Sequence, residues 1–105
     1  AEEAVKALKA FSGRKFVVTP GIVELGILEE GENAALGGKL VGLDLVILVG
    51  ATLVTAVKRG YLAAGGEAEK LTVVPDLAAA QKILSETLQP GDTVLFLNDL
   101  PDIYQ

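Results

Sequence analysis

The sequence predicts an α/β domain: a Rossmann-like, doubly wound and mainly parallel sheet of at least four strands, with helices on both faces. Helical and strand patterns alternate four times along the chain, which is typical of a parallel sheet built from crossover units. The strand runs are short and apolar, as expected of strands covered on both faces. The length of 105 residues fits a single domain, which we expect to span residues 1–105.

The chain opens with a predicted helix that runs to about Phe11 and ends at Ser12-Gly13. One face of this helix carries the apolar residues Ala4, Val5, Leu8 and Phe11. Strand A follows at Lys15–Thr19, a run rich in β-forming residues. A Pro-Gly pair comes directly after it, and a regular strand cannot continue through that pair.

The second helix is predicted at Glu29–Val41, although the adjacent glycines Gly37 and Gly38 each cost about 1 kcal/mol in a helix interior. Strand B, Leu43–Val49, is apolar apart from Asp44 and is the clearest strand of the chain. A third helix starts at about Gly50-Ala51-Thr52. Its predicted buried stripe consists of Leu53, Val54, Val57, Tyr61 and Leu62.

Gly65-Gly66 ends the third helix, and strand C is predicted at Leu71–Val74. Asp76, after Pro75, is a good N-cap for a fourth helix. The residues of this helix expected to face inward are Leu77, Ala80, Ile83, Leu84 and Leu88. A turn at residues 90–92 then leads into strand D, Thr93–Leu97.

The strand order C-B-A-D fits right-handed crossovers, with the direction of winding reversing at strand A. In that order the loops after Thr19 and Leu97 lie side by side at the carboxyl edge of the sheet. Open α/β sheets bind their ligands at such a switch point. Right-handed crossovers also place helices on both faces of the sheet.

Composition excludes several classes of function. The net charge of −5 makes nucleic acid a poor partner. The chain has neither Cys nor His, so it lacks disulfides, thiolate metal sites, a cysteine nucleophile and the usual general base. The longest candidate stretch, Leu40–Val57, is interrupted by Gly42, Asp44 and Gly50, so no uninterrupted apolar run reaches the ~18 residues that a membrane span needs. The first residue is Ala1 and no signal-peptide pattern is present, which leaves a processed or excised piece open.

Two weaker patterns have ordinary structural interpretations. The turn Val49-Gly50-Ala51-Thr52 leads from a strand into a helix, where free N–H groups bind an anion or Thr52 caps the helix. It matches no nucleotide-binding fingerprint. The acidic run Glu29-Glu30-Gly31-Glu32 lacks the spacing of an EF-hand, and we interpret it as a solvated helix start rather than a metal site.

The predicted substrate-binding residues lie in the two loops at the switch point. The first loop has Thr19, Pro20 and Gly21, followed by the lone carboxylate of Glu24 between the apolar Val23 and Leu25. The second begins where strand D ends. Its amide, carboxylate and apolar groups come from Asn98, Asp99 and Leu100, before Pro101 and Asp102. A strand-to-helix connection and a polar tail are the structural alternatives for these loops.

Several motifs in a fixed order resemble the C-terminal domain of Mur ligases, and most of all MurF-like enzymes, which add D-alanyl-D-alanine to the cell-wall precursor. These motifs are VVTPGIVELG (17–26), EEGENAALGG (29–38), ILVG (47–50), VVPDLAAAQKIL (73–84), LQPGDTVLF (88–96) and NDLPD (98–102). The resemblance covers nearly the whole chain. It implies a Rossmann-like domain that closes over a nucleotide-bound central domain and helps to present an amino acid or dipeptide. By that similarity, 19–26 and 98–101 line the amine-substrate side of the cleft.

The sequence also departs from the family. The Asp-Asn-Pro-type motif on a strand before the first helix is absent, as are the P-loop lysine and the Mg²⁺ ligands of the central domain. Many MurF sequences have Lys-Gly-Ser-Arg where this chain has Leu97-Asn98-Asp99-Leu100, so the resemblance does not extend to a phosphate contact there. The missing strand leaves a sheet edge through which we expect the chain to form homo-oligomers.

The resemblance implies the substrate-side domain of a cytoplasmic, ATP-dependent amide ligase of peptidoglycan precursor synthesis. Its expected partners are the central ATPase domain and the amine substrate, with no nucleic acid and no membrane. ATP and Mg²⁺ belong to the parent ligase; we expect this domain alone to bind neither and to be inactive as an enzyme. The alternative is a free-standing or engineered α/β module for binding or assembly. An upstream P-loop in the same reading frame favours the ligase.

Overall fold

The computed structural model describes residues 2–21, 28–51 and 53–97 of the chain. Helices and strands alternate along them as the sequence predicts. In chain order they are α1 (Glu2–Lys9), β1 (Lys15–Thr19), α2 (Leu28–Lys39), β2 (Leu45–Val49), α3 (Val54–Ala63), β3 (Leu71–Val74), α4 (Leu77–Thr87) and β4 (Thr93–Phe96). A short 3-10 helix, Ala68–Lys70, precedes β3. Among the described helices, none combines the length and apolar character needed to cross a membrane.

The four strands form one parallel sheet in the order β3-β2-β1-β4, which confirms the predicted order and the reversal of winding at β1. Strand β1 is central and pairs on both sides. Val17, for example, lies opposite Val46 of β2 and Leu95 of β4. The predicted class, a Rossmann-like parallel α/β sheet with helices on both faces, is therefore confirmed.

Alternation along the strands divides the apolar residues between two cores. On one face, Val17, Val46 and Leu48 pack with side chains of α1, α2 and α3. On the other face, Phe16, Val18 and Ile47 pack with Ala80 and Leu84 of α4. Among the described elements, three helices thus lie on one face of the sheet and one helix lies on the other.

Strands β1 and β3 have the predicted bounds, whereas several other ends differ. Strand β2 begins at Leu45 rather than Leu43, because the carboxylate of Asp44 accepts a hydrogen bond from the Lys15 backbone N–H at 2.7 Å in the preceding turn. Helix α3 begins at Val54, later than predicted. Strand β4 ends at Phe96, one residue before the predicted end. Helices α1 and α2 end at Lys9 and Lys39, two residues before their predicted ends.

Four residues predicted to be buried are exposed instead. Phe11 lies beyond the end of α1 and is 54% exposed. Leu62, Leu77 and Leu88 are also exposed, at 41%, 49% and 40%. A single helix on one sheet face buries a narrow stripe, so the ends of α4 extend beyond the core.

One of the two glycines that weaken α2 in the sequence, Gly37, has a packing role together with Gly60 of α3. A Cβ on Gly37 would lie 1.9 Å from the backbone oxygen of Val57 in α3. A Cβ on Gly60 of α3 would lie 1.9 Å from the backbone oxygen of Ala34 in α2. The two helices therefore touch backbone to backbone, which glycine alone permits. Gly38 has no such contact, since its nearest neighbour would be the Ala64 Cβ at 3.7 Å.

Candidate functional site

The carboxyl ends of β1 and β4 lie next to each other. Val18 is in register with Phe96, and the Leu97 backbone N–H donates to the Val18 backbone oxygen at 2.9 Å. The predicted adjacency of strands A and D, the two strands that lead into the loops, is therefore confirmed. Asn98 itself lies outside the described residues, as do Asp99, Leu100, Val23, Glu24 and Leu25.

A side-chain hydrogen bond shapes the start of the first loop. The Oγ1 of Thr19 accepts from the Gly21 backbone N–H at 3.1 Å, and the Thr19 side chain is only 1% exposed. Pro20, between them, is partly exposed. The hydroxyl of Thr19 thus holds the turn, while Pro20 is presented at the surface.

This turn also packs tightly against two other elements. Gly21 has φ of 95°, and a Cβ there would lie 2.7 Å from the Asn33 Oδ1 and 2.8 Å from the Leu53 Cβ. Asn33, on α2, is completely buried. Gly21 is therefore required by both its backbone angle and its close neighbours. Sequence reasoning did not identify Asn33; a lone amide in a helix that is otherwise acidic and small offers no signal of burial.

Beside the turn is a pocket of about 280 Å³, which we call the carboxyl-edge pocket. It lies on the same sheet face as α4, and its lining residues are Val18, Pro20, Val49, Leu77, Phe96 and Leu97. None of these six side chains is ionisable. The described part of the site can therefore supply shape, apolar wall and backbone groups, but no acid or base.

At the opposite, amino edge, an ion pair joins the starts of β1 and β4. The Arg14 guanidinium donates from Nη2 to Asp92 Oδ2 at 2.7 Å and to the Thr87 backbone oxygen at 2.9 Å. It also lies 5.1 Å from the centre of the Phe16 ring. The hydrogen bond from Arg14 lowers the pKa of Asp92, and the same bond raises the pKa of Arg14. This ion pair links the amino ends of β1 and β4, the two strands whose carboxyl ends border the candidate site.

The structure tests part of the two weaker sequence patterns, the acidic run at 29–32 and the turn at 49–52. Glu30 pairs with Arg59 at 2.7 Å on the surface, in agreement with a solvated helix start. No group of three or more acidic side chains in residues 2–21, 28–51 and 53–97 is arranged to hold a metal. Leu53 is the N-cap of α3 and makes no side-chain capping bond, while Thr52 lies outside the described residues.

The parallel sheet, with its reversal of winding at β1 and helices on both faces, defines a Rossmann-like α/β domain. Among solved structures, the chain is similar to the MurF ligase from Thermotoga maritima, solved in complex with ADP. The similarity has a TM-score of 0.72 and 26% sequence identity, and it covers 91% of this chain and 21% of that one. It also resembles MurF from Acinetobacter baumannii, with a TM-score of 0.66 and 24% identity over 92% of this chain and 21% of that one.

The resemblance to a domain of MurF-like ligases, predicted from the sequence motifs, is thus confirmed. The chain spans about a fifth of the length of these enzymes. The Acinetobacter similarity shows a shared fold. No protein-family model and no curated protein sequence matches the chain.

Proposed function

We propose that the chain is the substrate-side, C-terminal domain of an ATP-dependent amide ligase in peptidoglycan precursor synthesis. The observation that carries this proposal is the likeness of 91% of the chain to a fifth of a MurF ligase, at 26% identity. The order of the motifs VVTPGIVELG and NDLPD supports it as well, because they follow or overlap the ends of β1 and β4, which are neighbours where the winding reverses.

In this proposal the domain closes over a central ATPase domain and positions the amine substrate. Thr19 and Gly21 shape the first loop, and Pro20 lies at the mouth of the site. Glu24, Asn98, Asp99 and Leu100 complete the substrate contacts. A carboxylate such as Asp99 suits a protonated amine. ATP and Mg²⁺ are held by the central domain, and the proposed place of action is the cytoplasm.

The decisive experiment uses the full-length ligase encoded by the parent gene. Its reading frame should contain an upstream P-loop with its lysine; a gene without one refutes the ligase proposal. In that enzyme, Asp99→Ala should raise the KM for the amine by about tenfold or more, and leave the KM for ATP nearly unchanged, because one substrate contact is removed. A control variant, Glu69→Ala, alters an exposed acidic residue of the 3-10 helix and should leave both constants unchanged. Equal effects of Asp99→Ala on both substrates would contradict the proposed role.

A further inference from the structure

Two buried polar side chains lie on either side of Gly21, where the first loop leaves β1. Among the described residues, the polar side chains classed as buried are those of Thr19 and Asn33, which are 1% and 0% exposed. The Oγ1 of Thr19 accepts the Gly21 N–H. The Asn33 Oδ1 lies where a side chain at position 21 would begin, 2.7 Å from an added Cβ. In the described part of the chain, buried side-chain polarity is therefore concentrated at one turn.

Asn33 lies at a position that an apolar residue would fill at a lower cost. It is in the middle of α2, while Leu36 of this helix and the following Leu40 belong to the apolar core. Asparagine is less favourable than leucine in a helix interior, and removing its amide from water costs free energy unless the amide is hydrogen-bonded. No buried side-chain nitrogen or oxygen of the described residues lacks a hydrogen-bond partner, so this amide is bonded. Its contribution is directional bonding rather than the burial of apolar surface.

Three elements of the fold hold the turn at Pro20 and Gly21. Thr19 belongs to β1 and Asn33 to α2, whereas Leu53 is the N-cap of α3 and its Cβ lies 2.8 Å from an added Cβ on Gly21. Pro20, on the accessible side, lines the carboxyl-edge pocket. Buried side chains that fix a loop from behind are the support that a binding site needs to keep its geometry.

We infer that Asn33 is a positioning residue for the amine substrate. Its buried amide fixes the turn at Gly21, and with it the direction in which the chain continues towards the predicted substrate contact Glu24. Asn33 is completely buried, so it acts through the loop and not by touching the substrate. The inference rests on the proposed function for the identity of the substrate, and on the contacts around Gly21 for the turn itself.

Amide hydrogen exchange of this chain, followed by NMR, tests the turn without any enzyme. In Asn33→Ala we expect the Gly21 N–H to exchange roughly tenfold faster, because losing one buried hydrogen bond shifts a local opening equilibrium by about that factor. The control is Leu40→Ala, which shortens a fully buried side chain directly after the same helix. It should accelerate exchange of the Val17 N–H in the central strand and leave that of Gly21 nearly unchanged.

Two exchange results would overturn the inference. One is an unchanged Gly21 rate in Asn33→Ala. The other is equal acceleration of Gly21 in Asn33→Ala and Leu40→Ala, which would show that Asn33 contributes only to the stability of the whole domain. Far-UV circular dichroism verifies folding. If the alanine variant does not fold, Asn33→Ser replaces it, and the same direction of change is expected.

The positioning role is measured in the full-length ligase of the parent gene. There Asn33→Ala should raise the KM for the amine by about three- to tenfold and leave the KM for ATP nearly unchanged, because a displaced loop weakens contact with one substrate. Leu40→Ala should leave both constants unchanged. If Asp99→Ala raises the KM for the amine and Asn33→Ala does not, this inference fails and the proposed function stands. If neither variant raises it, the proposed function fails as well.

Discussion

Replacing Gly37 with alanine tests the backbone contact between α2 and α3. The added Cβ would lie 1.9 Å from the Val57 oxygen and 2.6 Å from the Tyr61 nitrogen. Even close C–H···O contacts in proteins are about 3.3 Å, so the contacting backbone atoms must move apart by roughly 1.4 Å. Even a gap of about 0.5–1 Å removes about a quarter to a half of the dispersion attraction between the atoms that it separates.

The helices cannot separate freely, because they share the core residues Leu36, Leu40, Val57 and Tyr61. Overpacking of this kind costs about 1–3 kcal/mol, and backbone obstruction belongs at the upper end. Alanine is favoured over glycine in a helix by about 1 kcal/mol, which offsets only part of this cost. We therefore expect Gly37→Ala to lower the free energy of unfolding by about 1–2 kcal/mol.

The same substitution at Gly31 is the matched control, because it lies in the same helix and a Cβ there meets nothing within 4 Å. Gly31→Ala should raise the free energy of unfolding by up to about 1 kcal/mol. Urea unfolding followed by circular dichroism measures both. Gly60→Ala should resemble Gly37→Ala, and the double variant should lose less than the sum, since one separation relieves both clashes. Equal stabilities of Gly37→Ala and Gly31→Ala would refute the close contact.

Three further outcomes are expected. Ile47 is fully buried, so Ile47→Ala should cost about 2–5 kcal/mol in urea unfolding, against less than about 1 kcal/mol for Val73→Ala at a 44% exposed position; similar losses would contradict the two-core packing. Because Arg14 lowers the pKa of Asp92 in the folded chain, the stability lost in Asp92→Asn should be present above the ordinary Asp value of about 3.9 and should vanish as the pH falls through the lowered pKa; a loss that does not vary with pH counts against the pair. Within the described residues the sheet has its edges at β3 and β4, and sedimentation over a concentration series should reveal self-association, whereas a strict monomer at high concentration would remove that expectation.

Much of the fold could be predicted because its signals are local. Strands β1 and β3 have the predicted bounds, because each is a run of β-forming residues that a proline ends: Pro20 after β1 and Pro75 after β3. Asp76 caps α4 as predicted, with its side chain accepting from the Ala79 N–H at 2.9 Å. The strand order also follows from chain connectivity, because right-handed crossovers leave few arrangements for four parallel strands.

The site could be predicted only in part. The sequence located the two loops and their chemistry, and the structure placed the strands before them side by side. The sequence did not indicate that Asn33 is buried behind Gly21, or that the carboxyl-edge pocket exists. Both features depend on contacts between residues that are far apart in the chain.

By itself, the sequence determined which segments become helices and strands, the parallel α/β class and the likeness to MurF-like ligases. Tertiary structure alone decided that Leu77 and Leu88 remain exposed and that Gly37 and Gly60 bring two helices into backbone contact. The reason is physical. Hydrogen-bonding geometry, capping and strand propensity act within a few residues, whereas burial and close packing depend on which distant elements meet.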